Sequence, residues 1–255
     1  MKYIVFSFDD GLHNFIENAL PILNKYGFKA TINVIAGFTK EVINFENNIP
    51  LVEKEVIDLY NCGHEIAMHS YSHLHKETVD DFKKCYAYLS SILNCKVFGA
   101  CMPFNQLPSK ELMEYFNSIS TPYVAIGEFS KLKPDHKYFL YRIKRKFFRN
   151  KKYGYLLSTY LITNPKEDDC ETKIISRFNI LKETNIEDLR VLIKGMKNET
   201  CLTLMFHAIT KNENEYCSYP DGSFSAAKFE KFCRFLYKNK KCKVITQMDF
   251  SKKCK

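Results

Sequence analysis

Tryptophan is absent from this 255-residue chain, and glycine (9) and proline (8) are sparse, so no Gly/Ser-rich linker, internal repeat or low-complexity tract divides it. No apolar stretch approaches the roughly 20 residues needed to span a bilayer. The N-terminal apolar run is cut short by Asp9 and Asp10 and lacks the cationic start of a secretory leader, which predicts a cytoplasmic protein. Ten cysteines are scattered without a single Cys-x-x-Cys pair, a pattern that favours free thiols over a disulfide framework.

Acidic residues are outnumbered, 29 to 38, and the net charge is +9. Much of the excess is local: seven of the eleven residues from Arg142 to Lys152 are basic, with aromatics such as Tyr138, Phe139, Tyr141, Phe147 and Phe148 in or beside them. Such a run suits peripheral contact with an anionic membrane surface, or the grip of a phosphate, and it also suits a solvated outer face. No nucleic-acid module accompanies the charge, so nucleic acid is not the expected partner. Oligomeric state leaves no readable mark.

What the chain does contain is a chain-long alternation. At 45% hydrophobic it can bury one sizeable core, and α/β barrels of about 250 residues fold as one domain, so residues 1–255 read as a single unit. Strands are expected at 2–8, 30–35, 64–68, 96–101, 122–126, 201–206 and 242–246. Helices are expected near 13–26, 51–61, 79–94, 109–119, 186–197 and 225–239. Val79, Phe82, Tyr86, Leu89 and Leu93 recur at three- and four-residue steps and give the third of these helices one apolar face. Alternation of this kind implies a parallel sheet. Residues 127–185 are expected to break the regular pattern.

Three places along this pattern carry chemistry. The run Tyr3-Ile4-Val5-Phe6-Ser7-Phe8 ends in Asp9 and Asp10, and Gly11 lets the backbone turn so that both carboxylates can serve one pocket. One acid can then bind a cation while the other handles protons. His69 and His73 stand four apart, on one face if the segment makes a helical turn, and with one Asp they form three ligands that leave positions open on a divalent ion. Each motif alone is commonly a solvated turn or a coincidence. His207 adds a third piece, because Leu202-Thr203-Leu204-Met205-Phe206 delivers it at a strand's C-terminal end, where parallel α/β folds gather their chemistry.

Ser7-Phe8-Asp9-Asp10-Gly11, Gly63-His64-Glu65-Ile66-Ala67-Met68-His69-Ser70-Tyr71-Ser72-His73 and Leu202-Thr203-Leu204-Met205-Phe206-His207 resemble the first, second and last motifs of the polysaccharide deacetylases, the NodB-homology or carbohydrate esterase family four. The resemblance runs from Met1 to about Phe250 and is strongest before His73. It implies a distorted (β/α) barrel of seven or eight parallel strands, an acetylated carbohydrate as substrate and loss of an N-acetyl, or by the same chemistry an O-acetyl, group. It further implies that Asp10, His69 and His73 hold one divalent metal, zinc first among zinc, cobalt, nickel, manganese and iron. Asp9 would be the general base, His207 the general acid, and Pro103 and Phe104 part of the substrate wall. Two departures stand out. Gly99-Ala100-Cys101-Met102-Pro103-Phe104 keeps Pro-Phe but lacks the arginine that orients the base in the family, and the Asp-Trp motif that supports the acid histidine is impossible without tryptophan. Arg142 is a candidate replacement guanidinium. The gaps leave a carbohydrate-binding protein without catalysis as one alternative, and the two-His-one-carboxylate set leaves a non-haem iron oxygenase as another.

Overall fold

A computed structural model describes residues 1–42, 48–128, 130–131, 133–147, 161–163, 172–211 and 221–253. The strands are β1 (Lys2–Phe8), β2 (Thr31–Val34), β3 (Glu65–Met68), β4 (Ala100–Cys101), β5 (Tyr123–Ile126), β6 (Ile162–Thr163), β7 (Lys173–Ser176), β8 (Phe178–Asn179), β9 (Cys201–Phe206), β10 (Ala208–Thr210), β11 (Ser223–Ser225) and β12 (Cys242–Val244). The α-helices are α1 (Leu20–Tyr26), α2 (Ala36–Glu41), α3 (Glu53–Asn61), α4 (Val79–Leu93), α5 (Lys110–Ser118), α6 (Pro134–Phe147), α7 (Ile186–Gly195), α8 (Ala226–Lys238) and α9 (Gln247–Lys252). All seven expected strands and all six expected helices are present. The helix expected from residue 13 is divided into a π-helical turn, Phe15–Ala19, and α1. Helices α2, α6 and α9 and the short strands β6, β7, β8, β10 and β11 were not foreseen.

Parallel pairing runs β1-β2-β3-β4-β5-β7, and β9 lies along the other side of β1. The ring is completed by one split segment. Its first half, β7, pairs with β5, and its second half, β8, pairs with β9, both in parallel. Seven parallel strands therefore encircle the interior, and β12 joins as an eighth beside the start of β1. The irregularity expected at 127–185 takes the form of α6, the antiparallel pairing of β6 with β9, and this split strand.

Side-chain alternation along β1 explains why it is buried on both faces. Ile4, Phe6 and Phe8 point to the helices, where the Phe6 ring lies 5.9 Å from Phe206, 5.3 Å from Phe229 and 6.2 Å from Phe232. Tyr3 and Val5 pack with Cys201, Ile245 and Phe250 in a second cluster, and Ser7 continues that face toward Asp9. Higher in the ring the interior turns polar. Glu65 accepts from the Tyr123 hydroxyl (2.6 Å), the Thr31 hydroxyl (2.7 Å) and the Met248 amide (2.8 Å). Gly99 is required beside this cluster, since a Cβ there would fall 2.0 Å from the Tyr123 ring.

Of the basic residues from 142 to 152, those from 148 onward lie outside the described residues, and Lys144 is turned inward rather than solvated. The seven described cysteines are free. No helix among the described residues is long and apolar enough to cross a membrane. Truncating Phe6 removes the ring at the centre of the aromatic layer. Phe6→Ala is expected to lower unfolding free energy by about 3–5 kcal/mol, measured by urea denaturation, and a loss below about 1 kcal/mol would contradict this packing account.

Candidate active site

The residues singled out in the sequence gather at the C-terminal ends of the barrel strands, where a parallel fold opens its strand-to-helix loops. β1 stays paired one residue beyond its end, through the Asp9 amide to the Phe206 carbonyl (2.9 Å). The chain then turns sharply, with Asp10 at φ +70° and Gly11 at φ +61°. Asp10 thus shares the left-handed conformation expected of the glycine alone. A Cβ on Gly11 would lie 3.3 Å from the Val34 backbone, so the second strand closes tightly over the turn. Both carboxylates are buried, at 4% and 3% exposure, yet they face different partners.

His69 follows β3 directly, while His73 is brought to it by a loop rather than a helical turn. Ser70 (φ +62°) and His73 (φ +52°) are left-handed, and the two imidazole centroids come within 5.1 Å. The loop is held from both ends. Amides of Ala36 and Gly37, at the start of α2, donate to the carbonyls of Ser70 (3.1 Å) and Tyr71 (3.0 Å), an approach that a Cβ on Gly37 would block at 2.6 Å. Asp81, in the first turn of α4, accepts from the amides of Tyr71 (2.7 Å) and Ser72 (3.1 Å). Ser70 Oγ accepts from the His73 amide at 3.0 Å.

These supports aim three ligand atoms at one point. His69 Nδ1 donates to the Cys101 carbonyl (3.0 Å), which leaves Nε2 to face Asp10 Oδ1 at 3.4 Å. His73 Nε2 lies 3.5 Å from the same oxygen. Tetrahedral ligands about 2.0–2.1 Å from an ion stand roughly 3.3–3.4 Å from one another, so the spacing fits a divalent cation. The other Asp10 oxygen, Oδ2, is buried and has no hydrogen-bond partner among the described residues. Burial and the neighbouring His69 pull His73 down to about 4, which keeps it in the neutral form that metal ligation needs. Asp9, His69 and Cys101 form a second cluster of potential ligands. It is the poorer set, because His69 Nδ1 is already bonded to a carbonyl, Asp9 is taken up by other partners, and burial pushes the Cys101 thiol up, against deprotonation.

Asp9 is committed to a cation of the protein itself. Its Oδ1 accepts from Arg177 Nη1 (2.5 Å) and Asn33 Nδ2 (2.6 Å). Arg177 is fully buried and sits in the gap between β7 and β8, its amide donating to the Ile126 carbonyl (3.1 Å) and its Nη2 to Asn105 Oδ1 (3.1 Å). Burial by itself would raise the Asp9 pKa, but Arg177, with the histidines nearby, overrides it and holds the carboxyl well below its usual range. The guanidinium for which Arg142 was only a candidate is therefore supplied by Arg177. Arg142 stands exposed on α6, whereas Arg177 is carried inward by the strand that closes the barrel. A cue was present in Lys173-Ile174-Ile175-Ser176-Arg177-Phe178-Asn179-Ile180, a strand-like run with an arginine at its centre.

His207 follows β9 and acts electrostatically on Asp9, Asp10 and His73. Pro103 is buried, and Phe104, at φ +51°, sets its ring 4.6 Å from His73 and stacked at 3.8 Å on His75 while remaining 40% exposed.

Residues 1–110 match the family profile of the polysaccharide deacetylases. No curated protein matches the chain. Among solved structures, a family 4 acetyl xylan esterase from Clostridium thermocellum in complex with a cobalt ion is similar with a TM-score of 0.52 and 16% identity, over 97% of this chain and 89% of that one. The Bc1960 peptidoglycan N-acetylglucosamine deacetylase is similar with a TM-score of 0.54 and 13% identity, over 97% and 87%. Streptococcus pyogenes deacetylase PplD is 22% identical, but the match covers 48% of this chain and about half, 54%, of that one, with a TM-score of 0.42. At these identities the two full-length matches establish the shared fold.

Removing Arg177 strands a buried carboxylate, so Arg177→Ala is expected to cost about 3–5 kcal/mol of stability at neutral pH. Because the folded-state pKa of Asp9 is depressed, its stabilisation is present above the unfolded carboxyl pKa and is lost as pH falls toward the folded value. The difference between wild type and variant should accordingly narrow on acidification. A urea-unfolding series in which that difference stays constant or widens would rule out the ion pair as its source.

Proposed function

We propose that the protein is a metal-dependent hydrolase that removes an acetyl group from a carbohydrate, because residues 1–110 match the family profile of the polysaccharide deacetylases and the chain shares the fold of solved deacetylases. The substrate in this reading is an N-acetylated amino sugar in a glycan or a lipid-linked saccharide. An O-acetyl ester would be cleaved by the same groups. The observation that carries the reading is the convergence of Asp10 Oδ1 with the Nε2 atoms of His69 and His73, beside a second carboxylate that Arg177 keeps separately engaged.

Asp10, His69 and His73 would hold the ion, and their nitrogen and oxygen donors suit zinc or another borderline divalent metal. When bound, such an ion polarises a carbonyl and lowers the pKa of a coordinated water, which is the condition under which a base as weak as Asp9 can take a proton. Asp9, anionic through its pairing with Arg177 and Asn33, accepts the proton of the attacking water. His207, at the same end of the neighbouring strand β9, donates a proton to the departing nitrogen, without which an amide nitrogen is too basic to leave. The exposed Phe104 ring offers an apolar face against which a sugar ring can lie. Bond cleavage yields acetate and a free amine on the sugar.

Arg177 also bears on the binding-only alternative, whose grounds were a missing guanidinium at the base carboxylate and the missing tryptophan beside the acid. With that group supplied from another strand, catalysis is the better-supported reading.

The test is acetate release from a panel of N- and O-acetylated saccharides by the metal-loaded protein. Asp10→Ala and His207→Ala should each reduce turnover by at least about 100-fold, the scale of a lost acid-base group, and a strong chelator should abolish it reversibly. Turnover that survives both chelation and Asp10→Ala would refute the metal-dependent mechanism.

A further inference from the structure

A cavity of about 370 Å³ has Asn105, a partner of Arg177, in its wall. It falls within the roughly 300–1,000 Å³ range of small-molecule sites. Asn105, Glu128, Tyr141, Lys144, Asn179 and Met205 line it. It is two hydrogen bonds from the base, because Asn105 Oδ1 accepts from the same guanidinium that holds Asp9. Gly127 makes room for this arrangement, since a Cβ there would fall 2.1 Å from Asn105 Cβ.

The cavity's polar groups are unevenly satisfied. Lys144, buried, donates to Glu128 Oε1 (2.6 Å) and to the Asn179 carbonyl (3.3 Å), and its ammonium lies 4.6 Å from the centre of the Phe178 ring. Glu128 is more than nine-tenths buried, with the Asn179 amide near its carboxylate, yet its Oε2 makes no hydrogen bond of ordinary geometry among the described residues, and neither does Asn179 Oδ1. A buried acceptor without a donor is destabilising. Two such acceptors in one cavity call for a ligand that brings donors. Glu183 also lines the space, so two carboxylates face one ammonium and the balance of charge favours a cation.

We propose that this cavity is a subsite for a sugar unit that carries a free ammonium, held by Glu128 Oε2 and Asn179 Oδ1 while an acetylated neighbour occupies the catalytic site. The inference rests on the deacetylase reading, whose product is such a unit. It adds that the enzyme recognises a unit already converted next to the one it attacks, and so acts preferentially on partly deacetylated chains.

The probe is D-glucosamine, titrated into the full chain and followed by backbone amide shifts, with N-acetylglucosamine as the comparison. Glucosamine is expected to shift the amides of Asn105 and Asn179, with N-acetylglucosamine weaker there. Glu128→Gln and Asn179→Leu should each weaken glucosamine binding by about tenfold or more, as expected for a lost bond to a charged donor. Glu128→Gln leaves Lys144 without its anion and can perturb folding. Asn179→Leu leaves that pair in place and keeps the test decisive. Absence of glucosamine binding, equal binding of the two sugars at these amides, or unchanged affinity in a folded Asn179→Leu variant would overturn the subsite. Acetate release is measured separately, so loss of the deacetylase reading and loss of the subsite give different results.

Discussion

The buried pair between Asp9 and Arg177 is the contact on which the rest of the structure turns. Arg177 lies where the closing strand changes partners from β5 to β9, so the residue that neutralises the base carboxylate also stands at the seam of the barrel. A charged group in a protein interior is tolerated only with a partner and a full set of hydrogen bonds. Asn33, Ser7, Asn105 and the Ile126 carbonyl complete that set. Closure of the barrel thus also places the cation that keeps the base ionised.

The same constraint separates the work of two adjacent acids. Asp9 points into the ring, where its charge is answered by the protein. Asp10, turned by a left-handed backbone, points to the imidazoles and keeps one buried oxygen without a hydrogen-bond donor among the described residues. Around it the chain spends fixed groups, not flexible ones: the first amides of α2, the carboxylate of Asp81 and the Cys101 carbonyl all orient the histidine loop. Supports of this kind hold ligand geometry before any ion arrives.

Much of this could be read along the chain. Strands such as 2–8 and 201–206 announce themselves as apolar runs, and the periodic face of α4 recurs in the buried Phe82, Leu89 and Leu93. Asp9, Asp10, His69, His73 and His207 were visible because each ends a strand or shares a short motif with another. The roles of Arg177, Asn33 and Asn105 were not, because each acts on a residue distant in sequence, Arg177 on a carboxylate 168 positions away. Helical spacing of the two histidines suggested a helix, and the structure reached the same meeting by two left-handed residues in a loop.

The sequence by itself determined the alternation of strands and helices, and which acids and imidazoles end the strands, because periodicity and strand termination are local properties of the chain. The tertiary structure alone decided which cation meets which carboxylate and how the two histidines converge on Asp10. The first of these depends on ring closure through the split strand, whose short halves find their partners only once the other strands are in place.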